Sequence, residues 1–278
     1  MKIVIASGKG GTGKTTVAVN LALSVEKCKL LDCDVEEPDA NLYLSQKLEH
    51  LCDVEVLNPV IDLNKCTFCG KCSDFCKYNA LATLPSNVLF FPHICNGCGG
   101  CMIACPEGAI TETMRKVGII EHGEEKGLKA YTGTLSIGEA RAPPIIKKIK
   151  GFTSPEDIVI IDAPPGSSCP FVSAVSGTDY VILVSEPTPF GKHDLEVVIE
   201  VLDEMGMRYG VIINKDGIGN DDLEKYLLHG GIDILGKIPN SIEVAKLGSE
   251  GKTLVGHGAE WKVFFKGIFD KVYEKVNT

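Results

Sequence analysis

Eight residues near the N-terminus, Gly8-Lys9-Gly10-Gly11-Thr12-Gly13-Lys14-Thr15, leave the chain few folds to choose from. They fit the pattern G-x-x-x-x-G-K-[ST] and lie between two different periodicities. Before them, Lys2-Ile-Val-Ile-Ala-Ser7 is a short apolar run of strand type. After them, Val17, Leu21 and Val25 recur at helical spacing. Glycines permit a tight loop whose backbone N–H groups can wrap a polyphosphate, and the helix N-terminus adds its positive dipole end. Lys14 is placed to reach β- and γ-phosphates and the Thr15 hydroxyl to ligate Mg²⁺, with cofactor contacts expected from Gly8 through Thr16.

The rest of the chain agrees with a strand–loop–helix start. Apolar strand-like runs recur at Leu30–Asp32, Ile158–Ile161, Tyr180–Val184, Val211–Ile213 and Ile232–Leu235, separated by helical stretches such as His193–Met205 and Leu223–Leu228. Such alternation predicts an α/β fold: a mostly parallel sheet with helices on both faces. A cysteine-rich block interrupts it. The expected organisation is therefore a first part with the phosphate loop at 1–57, an inserted domain of α+β type at 58–115, and a second α/β part at 116–278. Residues 121–150 read as a hairpin or loop followed by a short helix near 145–149.

Composition narrows the partners. With 28 Lys+Arg against 37 Asp+Glu the net charge is −9, which argues against nucleic acid, whose phosphates need a basic surface. No apolar run approaches the roughly 18–20 residues needed to span a bilayer. Ile3 to Ala6 is too short for a signal-peptide core, so a cytoplasmic setting is expected. Twelve cysteines are many for a reducing compartment, and eight of them fall between Cys66 and Cys105. Grouped this way they read as metal ligands, not disulfides.

The extra lysine in the loop, Lys9, gives the motif a narrower meaning. Lys-Gly-Gly-x-Gly-Lys-Thr resembles the deviant phosphate loop of the MinD/ParA/Mrp class of ATPases, which includes the nitrogenase iron protein. The resemblance implies ATP/ADP and Mg²⁺ as cofactors and an ATP-dependent homodimer in which Lys9 reaches the partner's nucleotide. Leu31-Asp32-Cys33-Asp34 is similar to the family's entry to switch I. Asp34 would position the attacking water, Asp32 would stand nearer the metal shell, and 34–41 would be the moving loop. Ile158-Val-Ile-Ile-Asp162-Ala-Pro-Pro-Gly166 is similar to the Walker B strand and switch II. It implies that Asp162 holds the Mg²⁺ shell through water and that the Gly166 N–H senses the γ-phosphate. Lys9, Lys14, Asp34 and Asp162 form the implied catalytic set. Asn214-Lys215-Asp216-Gly217 superficially matches a guanine-reading motif, but Gly217 lacks the needed carboxylate. Adenine is therefore expected, with Asn214 on the base edge and the backbone near Pro239 closing the pocket.

Cys66-x₂-Cys69-x₂-Cys72-x₃-Cys76 and Cys95-x₂-Cys98-x₂-Cys101-x₃-Cys105-Pro106 both fit the spacing of bacterial ferredoxins. Soft thiolates in fours also suit zinc, though zinc sites usually present two separated pairs. Resemblance to two-cluster ferredoxins implies that Cys66, Cys69, Cys72 and Cys105 serve one [4Fe–4S] cluster and Cys95, Cys98, Cys101 and Cys76 the other. Cys169, just after the switch II segment, reads as a packing or helix-starting residue, with a ligand role as the alternative. Cys28, Cys33 and Cys52 read as packing residues. The C-terminal stripe at 261, 265, 268, 272 and 276 is the pattern of a helix docked on a domain, with membrane binding the less favoured reading.

The resemblance implies an ATPase whose nucleotide state controls electron transfer or the handling of a metallocofactor, with a redox or metallocofactor partner that the sequence does not name. A MinD-like spatial organiser and an iron–sulfur cluster carrier without net redox work are the alternatives.

Overall fold

The computed structural model describes residues 1–125 and 127–278. Among the described residues eleven strands and eleven helices follow in chain order. The strands are β1 Lys2–Ala6, β2 Cys28–Asp32, β3 Glu49–Ile61, β4 Leu81–Leu84, β5 Asn87–Phe90, β6 Ile110–Glu125, β7 Leu128–Leu135, β8 Ile158–Asp162, β9 Tyr180–Ser185, β10 Tyr209–Asp216 and β11 Ile234–Pro239. The helices are α1 Lys14–Leu23, α2 Ala40–Leu44, α3 Lys71–Phe75, α4 Gly100–Ala104, α5 Pro143–Lys150, α6 Cys169–Val175, α7 Pro189–Glu204, α8 Asp222–His229, α9 Ile242–Ser249, α10 Leu254–His257 and α11 Ala259–Asn277.

Nine strands form one sheet in the order β11-β10-β9-β1-β8-β2-β7-β6-β3. Pairing is parallel from β11 through β7 and antiparallel at β7–β6 and β6–β3. The central strands are apolar on both faces because both are covered. Val4, Leu31, Ile161, Leu183 and Val211 pack on one side with residues of α5 to α8. Ile3, Ile5, Leu30, Ile160 and Ile182 pack on the other with α1 and α11. The α11 stripe is used there: Phe265, Ile268 and Val272 are buried, with Trp261 and Val276 partly so. Among the described residues no helix is long and apolar enough to cross a membrane.

The ambiguous stretch from 121 to 150 resolves into the β6–β7 hairpin and then α5, whose start carries Pro143 and Pro144. Fixed proline φ values suit a first helical turn. Gly118 and Gly133 make room for this helix. A Cβ on either would stand 2.3 or 2.7 Å from the Ile145 side chain, so Ile145 fills a hollow that only glycines leave open.

The expected domain boundaries at 57/58 and 115/116 fall inside β3 and β6, which pair continuously from Glu49↔His122 to Ile61↔Ile110. Gly118 of β6 lies opposite Leu135, the last residue of β7. Residues 110–117 and their β3 partners therefore run beyond the carboxyl edge of the parallel strands, the edge that also carries the Gly8–Thr15 loop. The cysteine block is carried at the end of this two-stranded ribbon. Its own core is small: Cys72, Leu81, Val88 and Ile110 form its buried apolar cluster, and Ala80, Cys95 and Ala109 are also buried.

Ile145→Ala should cost about 2–5 kcal/mol, the range for truncating a buried aliphatic side chain, whereas Ile137→Ala, at a fully exposed position, should change little. Chemical denaturation of both variants checks this, and equal stabilities would mean that α5 is not locked into the glycine hollow.

Candidate functional site

The loop after β1 has the geometry of an anion cradle. Gly13 precedes α1 at φ 90° and supplies no side-chain cap, which leaves the first-turn N–H groups for a ligand. A Cβ at Gly13 would stand 2.2 Å from the Asn214 amide nitrogen, so glycine is required by contact as well as by backbone. The loop opens into a cleft of about 610 Å³ lined by Gly10, Lys14, Thr15, Asp34, Tyr43 and Pro164, among others. Thr16 completes the loop's exit, its hydroxyl 3.4 Å from that of Tyr43.

Lys14 is almost fully buried, its Nζ 3.1 Å from Asp34 Oδ2 and 3.3 Å from Asp162 Oδ1. Burial opposes its charge, but Asp162 and Asp34 outweigh that and hold its pKa above the ordinary value. Asp162 lies at the end of β8, fully buried. Burial pushes its pKa up, while Lys14 and Thr15 counter the shift. One of its oxygens, Oδ2, is buried without a hydrogen-bond partner among the described residues. An orphaned carboxylate oxygen beside a threonine hydroxyl suits the water shell of a divalent cation.

Asp32 is differently employed. Its carboxylate accepts from Asp34 N (3.2 Å) and Ala40 N (3.0 Å), so it ties both ends of the loop between β2 and α2. Burial and the neighbouring Asp162 keep its pKa well above the usual carboxylate range. That bracing role is not visible in sequence, where the Asp-x-Asp spacing suggests the metal shell.

Three sequence-selected groups are engaged within the chain in this conformation. Lys9 pairs with Glu186, a buried carboxylate that also holds Lys215 at 2.9 Å, and Lys215 in turn donates to Gly11 O. The Gly166 N–H donates to Ser7 O at 2.9 Å. Asn214 donates from Nδ2 to Thr12 O at 2.7 Å and accepts from its neighbour's N–H, so it props the loop from below. Pro239 ends β11 opposite Asp216 at the same sheet edge. Glu186 was missed in sequence because nothing marks it locally; it meets Lys9 only across the sheet.

The cysteine block shows an internal two-fold pattern at an offset of 29 residues, the spacing of Cys66 from Cys95. α3 and α4 occupy equivalent places. Phe68 and Gly97, Gly70 and Gly99, and Asn79 and Gly108 share left-handed φ values. Asp62 N→Ala109 O matches Phe91 N→Ala80 O, both 2.8 Å. Backbone N–H groups face sulfur in the same pairs: Phe68 N to Cys66 Sγ and Gly97 N to Cys95 Sγ at 3.4 Å, Ala80 N to Cys76 Sγ and Ala109 N to Cys105 Sγ at 3.3 Å.

Two separate pockets result. One is lined by Cys66, Cys69, Cys72 and Cys105, the other by Cys76, Cys95, Cys98 and Cys101, so each fourth cysteine crosses to the other half. All eight are free thiols. Among the described residues no three His, Cys, Asp or Glu side chains converge on a point where a single metal ion would sit. Cys28 and Cys33 are buried, and burial raises the Cys28 thiol to about 12. Cys52 packs at the core margin, and Cys169 is exposed at the start of α6.

A parallel α/β sheet with a glycine loop, a buried lysine and two strand-end carboxylates at its carboxyl edge defines a phosphate-loop nucleotide-binding protein. Residues 3–255 match the CobQ/CobB/MinD/ParA nucleotide binding domain, and the chain belongs to that family. An uncharacterized protein of Methanocaldococcus jannaschii is 32% identical over 99% of this chain and 97% of its own length. The iron-sulfur cluster carrier protein of Pyrococcus furiosus is 25% identical over 92% of this chain and 80% of its own. Among solved structures, the septum site-determining protein MinD from Pyrococcus horikoshii, complexed with Mg-ADP, aligns with a TM-score of 0.58 at 21% identity, covering 96% of this chain and 93% of that one. The likeness to that structure is one of fold.

Lys14→Ala should abolish nucleotide binding and leave Asp34 and Asp162 facing each other without a cation. With Lys14 gone, the folded-state pKa of Asp162 rises further above its unfolded value near 3.8. A raised carboxylate pKa means that folded protein binds more protons, so stability falls as pH rises through that window. The loss of stability relative to the parent should be largest near neutral pH and shrink toward pH 4. Denaturation curves across that range check the sign.

Proposed function

We propose that this chain is a Mg²⁺-dependent ATPase whose nucleotide state acts on an inserted domain, residues 58–115, holding two [4Fe–4S] clusters. The crossed pairing of the cysteine pockets carries the reading. Each pocket gathers three thiols from one run and the fourth from the other, the arrangement two-cluster ferredoxins need. A cubane binds each thiolate through a different iron, so its ligands stand wider apart than around one ion. The backbone N–H groups aimed at sulfur suit electron-rich thiolates. A buried cluster of four apolar side chains, two alanines and one further cysteine is slight for a block of this size, which fits a fold completed by its metal. Bound clusters would supply one-electron storage.

At the nucleotide, the chain's own groups have assignable tasks. Lys14 is held by Asp34 and Asp162 where the triphosphate would otherwise hold it, and it would turn to the β/γ-phosphates on binding. Thr15 and Asp162 would hold the Mg²⁺ shell, and the released Asp34 would orient the attacking water. Gly166 would exchange Ser7 O for the γ-phosphate. Lys9 would leave Glu186 to reach a second copy in an ATP-dependent homodimer. Adenine would be read by the second N–H of Asn214, with the backbone at Pro239 as the wall of the pocket.

Anaerobically prepared protein should carry close to eight irons and eight sulfides per chain, hydrolyse ATP in preference to GTP, and lose hydrolysis on Asp34→Ala with the clusters intact. Stoichiometric zinc without iron after anaerobic reconstitution would end the cluster reading, and a preference for GTP would end the reading of Asn214 and Gly217. Lys9→Ala should remove ATP-dependent dimerisation measured by light scattering, and unchanged self-association would make Lys9 a loop residue only.

The names of the carrier relatives favour a second reading, in which the chain hands a cluster to another protein. Transfer of iron and sulfide to an apo-ferredoxin, stimulated by ATP and without net oxidation or reduction, would select it.

A further inference from the structure

The ribbon that carries the cysteine block is pinned at its root by one side chain. Arg115, on β6, reaches three separate parts of the molecule. Its NH1 lies 2.6 Å from Glu139 Oε2 in the loop between β7 and α5. Its NH2 donates to Pro92 O at 3.4 Å, three residues before Cys95. Its Nε meets the Asn58 amide oxygen at 2.9 Å, in the amide orientation that also lets the Asn58 nitrogen donate to Leu57 O.

Glu139 is the firm end of this arrangement. Its side chain is 2% exposed, and Oε1 accepts from Ala140 N, Arg141 N and Arg141 Nε at 3.0–3.1 Å. The carboxylate thus fixes the loop from 136 to 142 and one guanidinium at the same time. A buried carboxylate between two arginines is an arrangement that resists losing either partner. The same loop begins at Leu135, whose N–H donates to Val35 O at 2.9 Å, and Val35 follows Asp34, the partner of Lys14. Ser136 N, one residue on, donates to Val117 O in the ribbon. A contiguous path therefore runs from Lys14 through Asp34 and Val35, along residues 135–139, to Arg115 and the approach to Cys95.

We propose that Arg115 is the positioning residue through which the nucleotide loop acts on the pocket of Cys76, Cys95, Cys98 and Cys101. This rests on the reading that the pocket holds a cubane. When phosphate draws Lys14 away from Asp34, the 34–41 loop is released, and its bond to Leu135 moves the loop that anchors Glu139. Arg115 follows its carboxylate and carries Pro92 and its own charge with it. A cation beside a cluster stabilises the reduced, more negative form, so its displacement changes the ease of reduction. Coupling of this kind is reciprocal: reduction must change ATP affinity by the same factor.

The test uses full-length, anaerobically loaded protein. The midpoints of both clusters are measured by spectroscopic redox titration with and without a non-hydrolysable Mg-ATP analogue, and analogue affinity is measured in oxidised and reduced protein. In the parent, the analogue should shift the midpoint of one cluster and reduction should shift analogue affinity correspondingly. Arg115→Gln should keep the iron content and the oxidised-state affinity, lower one cluster's midpoint because the cation is gone, and lose the analogue-induced shift. Arg115→Lys should keep the basal midpoint, since the charge remains, yet lose the shift, since the three-way fork is gone. Should Arg115→Gln fail to fold, Glu139→Gln keeps hydrogen bonds to the loop without the charge that steers Arg115, and should diminish the shift. A parent loaded with both clusters that shows no shift overturns the proposal, as does a full shift retained in Arg115→Gln or in Glu139→Gln. A parent that binds no iron overturns instead the cluster reading on which the proposal stands.

Discussion

Among the described residues Lys14 is the single cation paired with the carboxylates at the end of two neighbouring strands, and the site's conformation turns on how that imbalance is met. Asp32 and Asp162 stand opposite each other in the β2–β8 register, both buried. Burial raises the pKa of each. Asp32 is satisfied by backbone N–H groups, so Lys14 is left to serve Asp162 and Asp34. A ligand bringing its own divalent cation, as the proposed function requires, would change this balance at once: it would supply phosphates for the lysine and positive charge for Asp162. The site is thus held together by Lys14 within the chain, in an arrangement that the proposed nucleotide would displace. Buried like charges with one counter-ion are how a small ligand acquires leverage over a loop.

Geometry gives that leverage a direction. The cysteine block does not hang from flexible linkers, as an insertion between two halves of a domain would suggest. Its connections are β3 and β6, strands of the main sheet that run past its carboxyl edge. Ladder hydrogen bonds carry force better than a linker, because moving the block requires twisting the ribbon or shifting its root. The root is where Arg115, Asn58 and Glu139 meet.

Sequence made some of this legible and hid the rest for identifiable reasons. The Gly8–Thr15 loop, the strand-end Asp162 and the two cysteine runs are local patterns, in which spacing along the chain is itself the chemistry. The α11 stripe was equally clear, because one face of a helix is written at fixed intervals. The length of β3 and β6 was not: Glu49–Ile61 alternates weakly, since part of it projects from the sheet with little to pack against. Glu139, Glu186 and the bracing role of Asp32 depend on partners met only in the fold. Asn214 shows a subtler limit. Its place at the end of an apolar strand marked it as functional, but only the structure shows its amide beneath Thr12 and too close to Gly13 for any side chain there.

The ribbon also decides where the sheet stops. β3 is the last strand in the order, so among the described residues one side of its thirteen-residue length has no neighbouring strand in the sheet. A long open edge of this kind invites a strand from another chain. Here the invitation is spoiled along its length. The pairing slips between His50 and Cys52 and again between Val54 and Glu55, which kinks the strand twice. Glu49, Asp53 and Glu55 place negative charges along it, and Pro59 removes a donor near its far end. The stalk that carries the cysteine pockets is thereby kept from zipping to a neighbour's, so any pairing of two copies is left to surfaces other than this edge of the sheet.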